Sequence, residues 1–217
     1  LQPISDLLVK DENAIMTEQT KRIVSIYTEA TPNPSSMKFV VNKMLYSRKS
    51  IEFKSVEDVK EQSPFATALF GNSAVKSIFI NNNYVTISKK DEVEWIEVIP
   101  EIKEFIRGYL QDEKPLMNEE LINEMATEVS SLNVATGDDD EIVVRIKEIL
   151  TKYVQPAVEM DGGSIVFRSF NEGIVTLGMQ GACAGCPSST ITLKAGIENM
   201  MRRSIPEVKE VVAEAMT

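Results

Sequence analysis

The chain has 217 residues, 43% of them hydrophobic and 26% charged, which is enough for two small domains and typical of a soluble globular protein. A formal net charge of −10 argues against a nucleic-acid partner, and the absence of histidine excludes an imidazole base, a Ser–His triad and a His-ligated metal. No apolar run reaches about 18 residues, so no membrane span and no membrane partner is expected.

Residues 1–20 form an N-terminal extension in which Asp6, Asp11, Glu12 and Glu18 face only Lys10. That is too acidic for a transit peptide and too polar for a signal peptide, so the expected location is cytoplasmic. Residues 21–110 read as a small α+β domain without an evident reactive group. Strands are expected at Ile23–Tyr27 and Met37–Val41 around Thr31-Pro32-Asn33-Pro34-Ser35, read first as a rigid turn and second as a partner-binding loop. Ser63-Pro64 opens a short helix through Leu69. Val75–Ile80 and Tyr84–Ser88 flank Asn81-Asn82-Asn83 as a hairpin, and Glu94 to Tyr109 repeats apolar residues at helical spacing.

Residues 111–140 form an acidic linker. Between Gln111 and Glu141 ten acids stand against Lys114, a local −9 that leaves −1 for everything else. Leu121, Ile122, Met125, Val129 and Leu132 recur at helical steps, so the joint is expected to be partly helical. In residues 141–217, Ile142, Ile146, Ile149, Leu150 and Tyr153 give a helix ending near Pro156, followed by a turn at Asp161-Gly162-Gly163. Strands Ile165–Phe170 and Ile174–Met179 join through Asn171-Glu172-Gly173, a helix covers Ser188–Met201, and Val208–Ala213 is a last strand. The fold class is α+β: two small α/β-sandwich-type domains, the second with the order α-β-β-α-β. The methionines, Met200 and Met201 among them, read as core.

Chemistry concentrates in Met179-Gln180-Gly181-Ala182-Cys183-Ala184-Gly185-Cys186-Pro187, a loop between a strand and a helix. Two residues between cysteines let both sulfurs converge on one centre, and Gly181 and Gly185 suit a tight ligand loop. The helix start at Pro187 favours negative charge, so a lowered thiol pKa is expected. A structural disulfide fits poorly; a thiol–disulfide redox pair lacks the surrounding order of elements; a zinc-stabilised interaction module and an iron–sulfur cluster both suit the thiols. Either metal centre wants four ligands. Asp161 and Glu159, the nearest carboxylates, are expected on the far side of a hairpin. The economical solution is a homodimer that contributes Cys183 and Cys186 twice, as metal ligands on the two-fold axis. No general base or substrate pocket is visible, so no enzyme is expected.

On these residues the chain resembles the Nfu/NifU family of iron–sulfur cluster scaffolds. Asp161-Gly162-Gly163, Gln180 to Thr190 and Ile205-Pro206-Glu207-Val208 resemble its C-terminal domain. Thr28 to Phe39, Ser63-Pro64-Phe65-Ala66 and Leu69-Phe70 resemble the Nfu N-terminal domain. The resemblance implies a carrier that binds a [4Fe–4S] cluster across a homodimer through Cys183 and Cys186. Upstream assembly machinery would load it, and apo iron–sulfur proteins would receive the cluster; four thiolates suit a [2Fe–2S] form equally. Gly181, Gly185 and Pro187 inherit only loop shaping, and the N-terminal domain a role in partner choice. The chain departs from the family pattern at Gln155, where relatives often carry arginine, and at Ser164, where they often carry Asp or Asn.

Overall fold

The computed structural model describes residues 23–59, 61–118, 140–184 and 187–215. The expected linker helix at Leu121–Leu132 and the N-terminal extension lie outside them, as do Gly185 and Cys186.

The first unit runs β1 (Ile26–Ala30), β2 (Ser36–Val41), β3 (Tyr46–Phe53), α1 (Val56–Val59), α2 (Pro64–Leu69), β4 (Val75–Asn82), β5 (Tyr84–Lys89) and α3 (Trp95–Gln111). Its strands form one antiparallel sheet in the order β1-β2-β5-β4-β3. Phe39, Phe53, Ile78, Ile80, Val85 and Ile87 alternate onto one face and pack with Phe65, Leu69, Ile102 and Ile106 from α2 and α3. Ser63 caps α2 as its pattern predicts, its hydroxyl accepting from Ala66 N at 3.0 Å.

Two departures have local causes. The first strand starts at Ile26 and not Ile23, because Asn42 intercepts the ladder. Its Oδ1 accepts from Ser25 N, and its Nδ2 donates to Ile23 O. Strand β3 is absent from the sequence reading. It is an edge strand, and a bulge between Tyr46 and Ser50 breaks the alternation that would reveal it.

The second unit has the expected order. Helix α4 (Glu141–Ile149) passes through a π-helical turn (Leu150–Val154) into α5 (Gln155–Met160); then come β6 (Gly163–Asn171), β7 (Ile174–Gly181), α6 (Pro187–Ser204) and β8 (Glu210–Ala215). Strand β7 pairs antiparallel with β6 and parallel with β8. Asn171 opposes Ile174, and Glu172 and Gly173 between them both take positive φ, as a tight hairpin requires.

The helix does not end near Pro156. The π-turn absorbs the proline's missing N–H, and Ile146, Leu150, Val154 and Val158 keep one buried stripe across it. That stripe packs with Ile165, Phe167, Val175, Leu177, Ile197, Met201 and Val211.

The two departures from the family pattern meet in space. Gln155 Nε2 donates to Ser164 Oγ at 3.2 Å and to Glu159 Oε1 at 2.6 Å, and its Oε1 accepts from Ile165 N at 3.4 Å. The side chain thus pins the helix exit to the start of β6. Gln155→Ala and Ser164→Ala are expected to be non-additive, with a coupling of about 0.5–1 kcal/mol in a double-mutant cycle of urea melts. Simple additivity would show that the contact is idle.

Candidate functional site

The cysteine loop grows from the open end of the β6–β7 hairpin. Gly163 pairs with Gly181, Ala182 N donates to Gly162 O at 3.2 Å, and Ala184 N donates to Gly181 O at 3.1 Å. Gly181 has φ +62°, and a Cβ there would lie 2.7 Å from Gly162 O, so glycine is required on both counts. The chain then folds back and seats Cys183 over Gly163. A Cβ on Gly163 would run into Cys183 Sγ and stand 2.8 Å from Gln180 O. The Asp161-Gly162-Gly163 turn therefore also makes room for the sulfur, a role its turn chemistry alone does not reveal. Cys183 is 7% exposed and belongs to the core of the second unit. Cys186, the second expected ligand, lies outside the described residues.

Two expectations are corrected here. Asp161 is not remote from the loop. The far end of the hairpin is Asn171–Gly173, whereas Asp161 precedes the strand end that abuts Cys183, and its charge bears on that thiol. Nor is the Cys183 thiol acidified. Burial pushes its pKa up to about 12, with Asp161 and Glu52 adding negative charge nearby.

The burial comes partly from the other unit. The second face of the five-stranded sheet carries Lys38, Val40, Ser50, Glu52, Phe79, Asn81, Tyr84 and Thr86, the residues that alternate with its core set. Val40, Phe79 and Tyr84 form a small apolar centre of their own. Around it, polar side chains hold the second unit, four of them by its backbone and Ser50 by the Gln180 side chain. Thr86 Oγ1 donates to Gly162 O at 2.7 Å, and Lys38 Nζ to Met160 O at 3.1 Å. Glu52 Oε1 accepts from Gly181 N at 2.8 Å, and Ser50 Oγ donates to Gln180 Oε1 at 3.2 Å. Asn33 Nδ2 reaches Ala182 O at 3.3 Å and Ala184 O at 3.2 Å.

The Thr31–Ser35 segment is thus a rigid turn with a contact role inside the same chain. Thr31 Oγ1 donates to Asn33 O and Ser36 O, Asn33 Oδ1 accepts from Ser35 N, and Trp95 Nε1 donates to Pro34 O. The first unit, read as lacking a reactive group, supplies Glu52. Desolvation raises its pKa from 4.5 to about 7 against the opposing bond from Gly181, and Oε2 is buried without a hydrogen-bond partner among the described residues. Sequence reasoning missed this whole face. The available signal was Val40, Phe79 and Tyr84, apolar residues out of phase with the core alternation.

Known proteins resemble both units. Residues 26–113 match the family described as scaffold protein Nfu/NifU N terminal, and residues 146–212 match the NifU-like domain. The mitochondrial NFU1 iron–sulfur cluster scaffold homologue of Homo sapiens is 37% identical over 191 residues, 88% of this chain and 72% of that protein. Its Drosophila willistoni counterpart is 39% identical over 199 residues, 91% of this chain and 66% of the relative. The mitochondrial NifU-like protein 4 of Arabidopsis thaliana is 38% identical over 196 residues, 89% and 67% respectively. The chain thus spans about two thirds of the length of these relatives.

Gly163→Ala should displace the sulfur and cost about 1–3 kcal/mol in a urea melt, the range for overpacking a tight site; wild-type stability would contradict the placement of Cys183. For Glu52 the native pKa lies above its ordinary value, so its contribution is present below about pH 4.5 and lost as pH rises through about 7. Glu52→Gln should therefore gain about 1–3 kcal/mol on wild type between pH 5 and pH 8. Parallel stability profiles for the two proteins would contradict the burial of that carboxyl.

Proposed function

The chain belongs to the Nfu/NifU family, and we propose that it is an iron–sulfur cluster carrier whose cargo is held by Cys183 and Cys186. The observation that carries this reading is the ligand inventory. Two cysteines three positions apart flank the strand-to-helix loop, and the chain has no other thiol and no histidine. Gly163 and Gly181 are shaped around the first of them. Two thiols supply half of the four ligands a cluster takes, which supports completion by a second copy of the chain. Four thiolates, two from each protomer, then hold a [4Fe–4S] cluster on the two-fold axis; a [2Fe–2S] cluster would use the same four. The relatives named as iron–sulfur cluster scaffolds support the cargo class.

Cluster transfer proceeds by ligand exchange. Cysteine thiolates of an apo iron–sulfur protein replace Cys183 and Cys186 one at a time as the homodimer loosens, and the released thiolates are reprotonated. No bond in the recipient is made or broken beyond metal–sulfur bonds, so the role is carriage and not catalysis. Upstream assembly machinery supplies the cluster by the same exchange in reverse. Residues 141–217 form the cluster-binding unit, residues 21–110 its companion domain and residues 111–140 an acidic joint.

In this arrangement Cys183, its pKa pushed up to about 12 by burial, is a poor attacking nucleophile near neutrality, which weighs against a redox role for that thiol. Among the described residues no helix is long and apolar enough to cross a membrane. The relatives named mitochondrial weigh against the cytoplasmic location expected from the polar N-terminal residues, and fractionation of the native protein decides between the two compartments.

Cys183→Ser and Cys186→Ser, each alone, should abolish the brown chromophore after anaerobic loading while far-UV circular dichroism stays unchanged. A single variant that retains the wild-type iron content would remove that residue from the ligand set.

A further inference from the structure

Among the described residues, the face of the five-stranded sheet that carries Val40, Phe79 and Tyr84 is covered by the cysteine loop, the strand ends that bear it and the end of α5. A sheet face with an apolar centre has to be covered, and the first unit's helices all pack on the other side. The fit is close. A Cβ on Gly181 would lie 2.9 Å from the Phe79 ring, and one on Gly162 would lie 2.8 Å from Thr86 Oγ1. The atoms gripped by Asn33, Lys38, Glu52 and Thr86 are all backbone atoms, and Ser50 adds one side-chain contact to Gln180, so this surface reads mainly the backbone shape of the glycine-rich loop.

Resting on the carrier reading, we propose that this face is an internal guard for the cluster site, closed over Cys183 within the single chain and lifted when a second chain brings its own cysteines. In the closed form Cys183 is 7% exposed, so thiolates of a second copy have no path to a shared centre. Closure and the bridged dimer therefore exclude each other, and a protomer passes between them by a rigid movement of one unit from the other. The closed contact is built to release. It is a small polar ring around three apolar residues, more like a transient domain contact than a fused core. It also leaves Glu52 Oε2 buried without a hydrogen-bond partner among the described residues, a cost that opening relieves. Closure thereby shields a thiol that would otherwise meet oxidants and stray metal.

The test uses the full chain, reduced and free of iron. A pulse of N-ethylmaleimide is followed by mass spectrometry that localises the label at Cys183, and anaerobic loading with iron and sulfide is timed in parallel. Thr86→Arg places a long cation in the middle of the contact, and Ser50→Arg does so at its rim on the edge strand. Both positions face away from the first unit's core, and circular dichroism checks that each variant is folded. In both variants Cys183 should label about tenfold faster than in wild type or more, and loading should be faster with the same final iron content. Equal labelling rates in wild type and both folded variants would overturn the guard while leaving the carrier reading intact. Faster labelling with no iron bound by any of the three proteins would support the guard over the thiol and defeat the carrier reading instead.

Discussion

The structure turns on a place where backbone must come closer to other atoms than any side chain allows. At the open end of the β6–β7 hairpin, Gly163 faces Gly181, the Cys183 sulfur fills the space a Cβ would need, and Phe79 of the other unit closes from outside. Each contact depends on the others. Without a glycine at 163 the sulfur has no seat. Without one at 181 the loop neither turns at positive φ nor accepts the Phe79 ring. The buried thiol, its raised pKa and the cross-domain grip all follow from this crowding.

Its electrostatics oppose the simple picture of a thiolate activated by a helix start. Burial is the largest cost to the charged form of Cys183, and Asp161 and Glu52 add to it. Glu52 shows the same balance from the other side: it accepts a hydrogen bond from Gly181 N, yet desolvation still wins and its pKa rises to about 7. In this arrangement both groups prefer to be neutral. A metal centre that binds thiolates has to reverse that preference, and exposure of the loop to water and to a partner is the available means. The chemistry of the site and the position of the sheet are thus one problem.

Much of this was legible in the residues. The turn segments Thr31–Ser35 and Asn81–Asn83 mark β2, β4 and β5, and helical spacing marks α3 and α4. The Ser63 cap and the Asn171–Gly173 turn stand where their chemistry requires. The cysteine pair declared itself by spacing and by the lack of any other thiol or of an imidazole. Three things were hidden for physical reasons. The edge strand β3 carries a bulge that destroys its period. The helix through Pro156 survives by a π-turn, which leaves no local signature. The contact between the units is long-range: Asn33 meets residues 182 and 184, and nothing near Asn33 in the chain encodes that meeting. Only the out-of-phase Val40, Phe79 and Tyr84 hinted that the sheet's second face was occupied.

The central claim is that two protomers share one cluster through four cysteine thiolates. Anaerobic loading of the full chain, followed by iron and sulfide analysis on the fraction separated by mass, tests it most directly. The account predicts a brown dimer with about two irons and two sulfides per chain for a four-iron cluster, or about one of each for a two-iron cluster. A colourless monomer that retains neither metal nor sulfide after loading would contradict it.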